Sequence, residues 1–244
     1  MFLLLLLLFI FYRNKEKFIN TPNIIFINKN DLTNILIQDN DNYYKTFNKN
    51  DMIVRNIKHI NDYYEIIKNS TIDCNNKIKD KIIKCIFKVE EKFKNINLDY
   101  MDGKKFNNIT WKIGFIKDNL YEGGLPHTRN DNIILPFDYL ESIYENSLIE
   151  LLIHEKIHVY QKLYPNDIKK YLIKNNFNVI NKNIPNRRAN PDMDNKIYKD
   201  KNNNAYYSQY NNEPKNIMDV TYYPINNSLH EHPFEKMAYE LSNY

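Results

Sequence analysis

Hydrophobic and polar positions change period several times along the chain, and each change marks an element. Between 51 and 95 apolar residues recur at helical spacing, first Ile53, Ile57 and Ile60, then Ile78, Ile82, Cys85, Ile86 and Val89. The Asn69-Ser70-Thr71 break divides this stretch into two expected helices. Residues 109–116 alternate loosely, as a half-buried strand does. Gly123-Gly124 marks a turn, and a second strand is expected at 132–135, ending at Pro136. A long apolar helix follows over 147–163 and stops at Pro165. Residues 175–216 are rich in Asn, Lys and Tyr and read as loop with short elements. A last helix is expected over 233–241. Residues 13–50 read as a linker with one short strand near 24–27. The pattern predicts a single α+β domain over 51–244.

Residues 1–12 form an unbroken apolar run. As a helix it reaches roughly 18 Å, short of the roughly 30 Å hydrocarbon core. It is expected to act as a membrane-associating segment, anchor or signal-like. Arg13, Lys15 and Lys17 follow directly, so an inserted segment would hold the downstream chain on the cytosolic side.

Composition narrows the function classes. The chain has 244 residues, with 34 basic against 30 acidic side chains. That even balance, without a basic block, speaks against nucleic acid as a partner. Four glycines leave no phosphate-cradling glycine motif. Two cysteines, Cys74 and Cys85, would sit roughly 16 Å apart on one helix, too far to bridge. With 41 Asn, the sequons at Asn69, Asn108 and Asn226 are expected by chance and carry no compartment signal.

The chemically informative segment is His154-Glu155-Lys156-Ile157-His158 on the long apolar helix. Residues i and i+4 share a helical face, so both imidazoles can bind one Zn²⁺. Glu155 falls beside that face, where its carboxylate can reach a metal-bound water and take its proton. A buried helix with two histidines and a glutamate needs partners for them, and a metal supplies one. Lys156 falls on the opposite side and is expected to reach solvent.

Catalytic zinc takes a third protein ligand. Gln161 and Tyr164 follow His158 where one common pattern has Gly and His, so the ligand must come from elsewhere. In the C-terminal segment Pro233 suits a first helical turn, which would hold Glu235, with Ala238 one turn on. Glu231, Glu240, Glu213 and His232 are the other candidates. With H-E-x-x-H and an E-x-x-A on a later helix, the chain resembles the gluzincin-type zinc metallopeptidases. The resemblance implies a zincin-like domain, zinc held by His154, His158 and Glu235, and Glu155 as general base in peptide-bond hydrolysis. It also implies that the strand before the active helix lines the substrate groove, making 132–135 the candidate edge strand. Such enzymes add a Tyr or His that stabilises the oxyanion, and Tyr198, Tyr206, Tyr207, Tyr210, His230 and His232 are the choices in the right stretch. The alternative is a non-catalytic, membrane-associated protein that keeps zinc for structure.

Three further sites read more plainly. His127 is expected to cap a turn or face solvent. The oxygen-rich run from Asn190 to Asp194 reads as a turn, although Asp192 or Asp194 could orient a ligand histidine. His59 reads as a surface residue.

Overall fold

Along 111–116 the side chains part to two sides. Trp111, Ile113 and Phe115 enter one apolar cluster and Ile116 enters another. Residues 133–135 repeat this, with Ile133 and Leu135 on the first side and Ile134 on the second. Strands buried on both faces belong to a sheet between helical layers. A computed structural model has this architecture and describes residues 21–117, 119–225 and 230–243. The 1–12 segment lies outside these residues. Among the described residues no helix is long and apolar enough to cross a membrane.

The chain runs β1 (Ile24–Phe26), α1 (Lys29–Gln38), α2 (Lys49–Val54), α3 (Ile60–Ser70), β2 (Thr71–Ile72) and α4 (Asn76–Phe93). It continues through β3 (Asn97–Leu98), β4 (Met101–Asp102), α5 (Gly103–Asn108), β5 (Trp111–Ile116), β6 (His127–Arg129), β7 (Asn132–Pro136) and α6 (Phe137–Ser142). It ends through α7 (Glu145–Leu163), α8 (Pro165–Lys174), β8 (Asn178–Ile180), β9 (Ile197–Lys199), β10 (Ala205–Tyr210), β11 (Val220–Tyr223) and α9 (Pro233–Ser242). The α+β class is as expected.

The main sheet has the order β1-β5-β7-β6. β1 and β7 flank β5 in parallel, and β6 runs antiparallel to β7 with Thr128 opposite Ile133. β2 adds to the far end of β5, with Thr71 opposite Ile116. Helices α4 and α7 cover one face, and α1 and α3 cover the other. On the second face Leu32 lies against Gly114, where an added Cβ would come within 2.6 Å of the leucine side chain.

Three expectations change, and the short elements expected within 175–216 prove to be sheet strands. Residues 29–38 form a helix instead of linker, because Leu32 and Leu36 close the second face and are wholly buried. The stretch 51–95 carries parts of three helices, and the break at 69–71 ends in a sheet strand. The 132–135 strand is interior, because β6 pairs outside it; β6 is the edge. Residues 175–216 contain β8, β9 and β10, which join β11 in an antiparallel sheet of order β11-β10-β9-β8. Its strands bury Tyr198, Tyr206, Tyr207 and Tyr210, aromatic weight that the many asparagines around them obscure. Cys74 and Cys85 are free and buried, as expected.

Candidate metal centre

Helix α7 is held by Leu148, Leu152, Ile153 and Ile157, all without exposed surface. Its position against the sheet turns His154 and His158 toward α9, where Met237 and Ala238 are equally buried. Ala238 has no bulk to hold the two helices apart, so the first turn of α9 comes close to the histidines. Pro233 starts that helix, and His232 caps it, its Nδ1 accepting from the Phe234 N–H at 3.2 Å.

The imidazoles of His154 and His158 meet with Nε2 atoms 3.0 Å apart. Glu235 Oε2 lies 3.4 Å from His154 Nε2 and 3.6 Å from His158 Nε2. One ligand atom from each residue falls within 4.8 Å of the others, so the three together could hold a metal ion. Two further contacts aim these groups. Gln161 Nε2 donates to the Phe234 carbonyl at 2.9 Å, which turns Oε1 toward His158 Nδ1 at 3.0 Å. Nδ1 therefore carries a proton, and Nε2 is the nitrogen that faces the centre. Asn190 Nδ2 donates to Glu235 Oε1 at 3.1 Å, leaving Oε2 for the histidines.

The charges in this cluster depend on one another. Burial lowers the proton affinity of His158, but Glu235 and Asp192 raise it further, bringing its pKa to about 9. Burial favours the neutral form of Glu235, and His158 and His154 more than offset this, holding its pKa well below the carboxylate range. Either a proton or a divalent cation at this point would balance the carboxylate. Burial raises the pKa of Glu155, and the negative charge of Asp192 raises it again. Glu155 is 3% exposed, and its Oε2 has no hydrogen-bond partner.

The rival third ligands are otherwise engaged. His232 lies with Nε2 3.2 Å from Asp194 Oδ1. Glu231 pairs with Arg188 and accepts from Asn190 Nδ2 at 2.9 Å. Glu240 accepts from the Tyr171 hydroxyl at 2.8 Å. Glu213 is exposed in a turn with φ of 53°.

His154, Glu155 and Glu235 line a cleft of about 850 Å³. None of the six expected oxyanion partners lines it. Tyr198 donates to Asp194 at 2.8 Å, and Tyr210 donates to Asp51 at 3.0 Å. Tyr239 and Tyr222 line the cleft instead. The Tyr239 ring centroid is 4.6 Å from that of His154. His127 also lines it, only 3% exposed, with Nδ1 donating to the Leu125 carbonyl at 2.9 Å and Nε2 unpartnered. The bond to Leu125 is a turn contact of the kind expected, but the expected exposure is not found, because His127 is buried on the edge strand β6. Asp192 binds Thr128 and Asp194 binds His232, so neither orients His154 or His158.

Lys156 does not reach solvent. Its ammonium lies 3.9 Å from the Trp111 ring centroid and 3.5 Å from Glu90 Oε1. Burial lowers its pKa to about 7 against the pull of Glu90. The helix is enclosed on this side because α4 and α5 pack where an exposed face was expected.

Comparisons with protein-family models, with curated proteins and with solved structures returned no match for this chain.

Proposed function

We propose that this chain is a zinc-dependent peptidase of the gluzincin kind, with His154, His158 and Glu235 as metal ligands and Glu155 as general base. The observation that carries the reading is the convergence of these ligand atoms at a cleft whose wall includes Glu155. The donor set suits the ion. Two imidazole nitrogens and one carboxylate oxygen are the three protein ligands of a catalytic zinc that keeps an open position. Gln161 and Asn190 orient two of the three, which is the support that ligands to a working metal receive.

When bound, zinc supplies a Lewis acid that polarises the scissile carbonyl and acidifies water. The remaining steps belong to the protein. Glu155 takes a proton at its unpartnered Oε2 and returns it to the leaving nitrogen. Its carboxyl oxygen faces no competing donor, so it is free both to accept that proton and to hand it on. Tyr239, whose ring packs on that of His154 at the cleft, is the candidate to offer a hydroxyl to the oxyanion.

The test is metal content and peptide cleavage measured on the same preparations. The wild type should carry one zinc per chain, lost in His158→Ala and in Glu235→Ala. Glu155→Gln should keep the zinc and lose cleavage by at least about a hundredfold. Full cleavage by Glu155→Gln, or a folded wild type without zinc, would end the proposal.

A further inference from the structure

The edge strand of the main sheet that borders the cleft is β6, through His127. Extended peptides add to such an edge through main-chain hydrogen bonds. Here the bonds are already made within the protein. Pro126 has no N–H. The Thr128 N–H donates to Asp192 Oδ1 at 2.7 Å, and the Thr128 carbonyl accepts from Lys162 Nζ at 3.0 Å. The Asn130 N–H, in the adjoining turn, donates to Asp41 Oδ2 at 3.2 Å. Asp192 is 7% exposed, so displacing it would leave a buried carboxylate without its donors. Side chains from α7 and from the 189–192 loop close this edge to strand addition.

The cleft wall offers acceptors in its place. Glu150 is exposed, one turn before His154 on the same helix. Glu231 and His127, 2% and 3% exposed, belong to the same wall, and Glu231 Oε2 and His127 Nε2 lie just beneath its surface without a hydrogen-bond partner. Arg188 is the basic residue of the wall, and it is already paired with Glu231. A wall of acceptors favours a ligand rich in donors and positive charge.

From this closed edge and this acidic wall we infer that the site takes amide substrates carrying a cationic side chain, lysine or arginine, next to the scissile bond. Recognition runs through side-chain contacts with Glu150, Glu231 and His127, without strand pairing on β6. The inference rests on the peptidase reading.

The test uses the zinc-loaded full chain and titration calorimetry with amino-acid hydroxamates. Lysine hydroxamate should bind about tenfold tighter than leucine hydroxamate, and glutamate hydroxamate more weakly than both. Glu150→Gln, a change at an exposed position, should cut the lysine preference by about threefold or more while leaving leucine hydroxamate unchanged. Lysine hydroxamate extended by one residue, with and without a methyl on the new amide nitrogen, should bind alike to within about twofold. Equal binding of the three hydroxamates would overturn the inference, as would a tenfold loss on methylation, which would mean that the edge opens to a strand. Those results require zinc and hydroxamate to bind, so they differ from failure of the peptidase reading, in which neither binds.

Discussion

At the residue scale, the orientation of His158 and Glu235, the ligands proposed above, depends on two side-chain amides. Gln161 fixes the tautomer of His158 through a bond of 3.0 Å, and Asn190 turns the Glu235 carboxylate through one of 3.1 Å. Gln161→Leu should therefore weaken zinc binding by about ten- to a hundredfold while the fold survives, checked by competition with a chromogenic chelator. Asn190→Ala should act in the same direction, and the pair should combine less than additively because both act on one ion. Unchanged affinity in both variants would mean that the histidines and the glutamate find their positions unaided. The clustering of His154 and His158 was legible in the sequence because they are four residues apart on one helix. Gln161 was within reach of the same argument, being three residues beyond His158. Asn190 was not, because its contact with Glu235 spans 45 residues. Lys156 was misjudged because spacing tells which side a residue faces, not what packs there. A lysine with its ammonium 3.9 Å from a tryptophan ring is a cation confined in apolar surroundings. Lys156→Met combined with Glu90→Gln, which removes both charges of the buried pair, should raise the melting temperature by a few degrees, about what 1 kcal/mol provides in a domain of this size, with zinc content unchanged. The amide oxygen introduced by Glu90→Gln can still accept from the Trp111 indole, which donates to Glu90 at 2.8 Å.

At the scale of elements, the seam between α7 and α9 holds the site together. The seam is narrow because Ala238 lies in it with no exposed surface. Ala238→Leu would insert bulk between the two helices at a cost of about 1–3 kcal/mol. Melting temperature and zinc affinity should fall together in this variant, since Glu235 rides on the helix that is displaced. A fall in melting temperature with zinc affinity intact would mean that α9 slides without moving its first turn. Both helices were legible, one from its long apolar run and the other from Pro233 at its start. The sheet was harder to read. Its strands are short, and their order is set by pairings between residues distant in sequence. Thus 132–135 was correctly expected as a strand and wrongly expected at the edge, because β7 folds back on the preceding β6 after a tight turn and leaves β6 outermost. The helix at 29–38 was missed because Leu32 and Leu36 stand among asparagines and aspartates that outweigh them in a local window.

At the scale of the whole molecule, one buried ionic cluster ties the layers to the cleft. Arg55, which follows α2, pairs with Glu122 at 2.6 Å and with Asp51 at 3.3 Å. Glu122 also accepts from the hydroxyls of Tyr43 and Tyr63. Asp51 accepts from Tyr210 of the second sheet and from the Ala189 N–H beside the cleft. The helices on one face of the main sheet, the second sheet and the loop carrying Asn190 therefore meet on this cluster. Burial pushes the Glu122 pKa up, but Arg55 outweighs it and holds the group down at about 2 against an ordinary 4.5. In the unfolded chain Glu122 takes up its proton near 4.5, and in the folded chain only near 2. Between those values the unfolded state binds more protons, so stability falls as the pH drops through this window. The shift corresponds to about 3 kcal/mol, fully present above the unfolded value. Asp39 acts in the opposite sense, because burial lifts its pKa to about 6 despite Arg129 beside it. The two are separated by comparing the wild type with Glu122→Gln, in which Asp39 is common to both. The variant leaves Arg55 with a weaker partner and should lose about 3–5 kcal/mol at neutral pH. The difference in unfolding free energy between the two proteins should be constant above about pH 5 and shrink steadily toward pH 2. A difference independent of pH down to 2 would mean that Glu122 gains nothing from Arg55 as a charge and serves only by filling space.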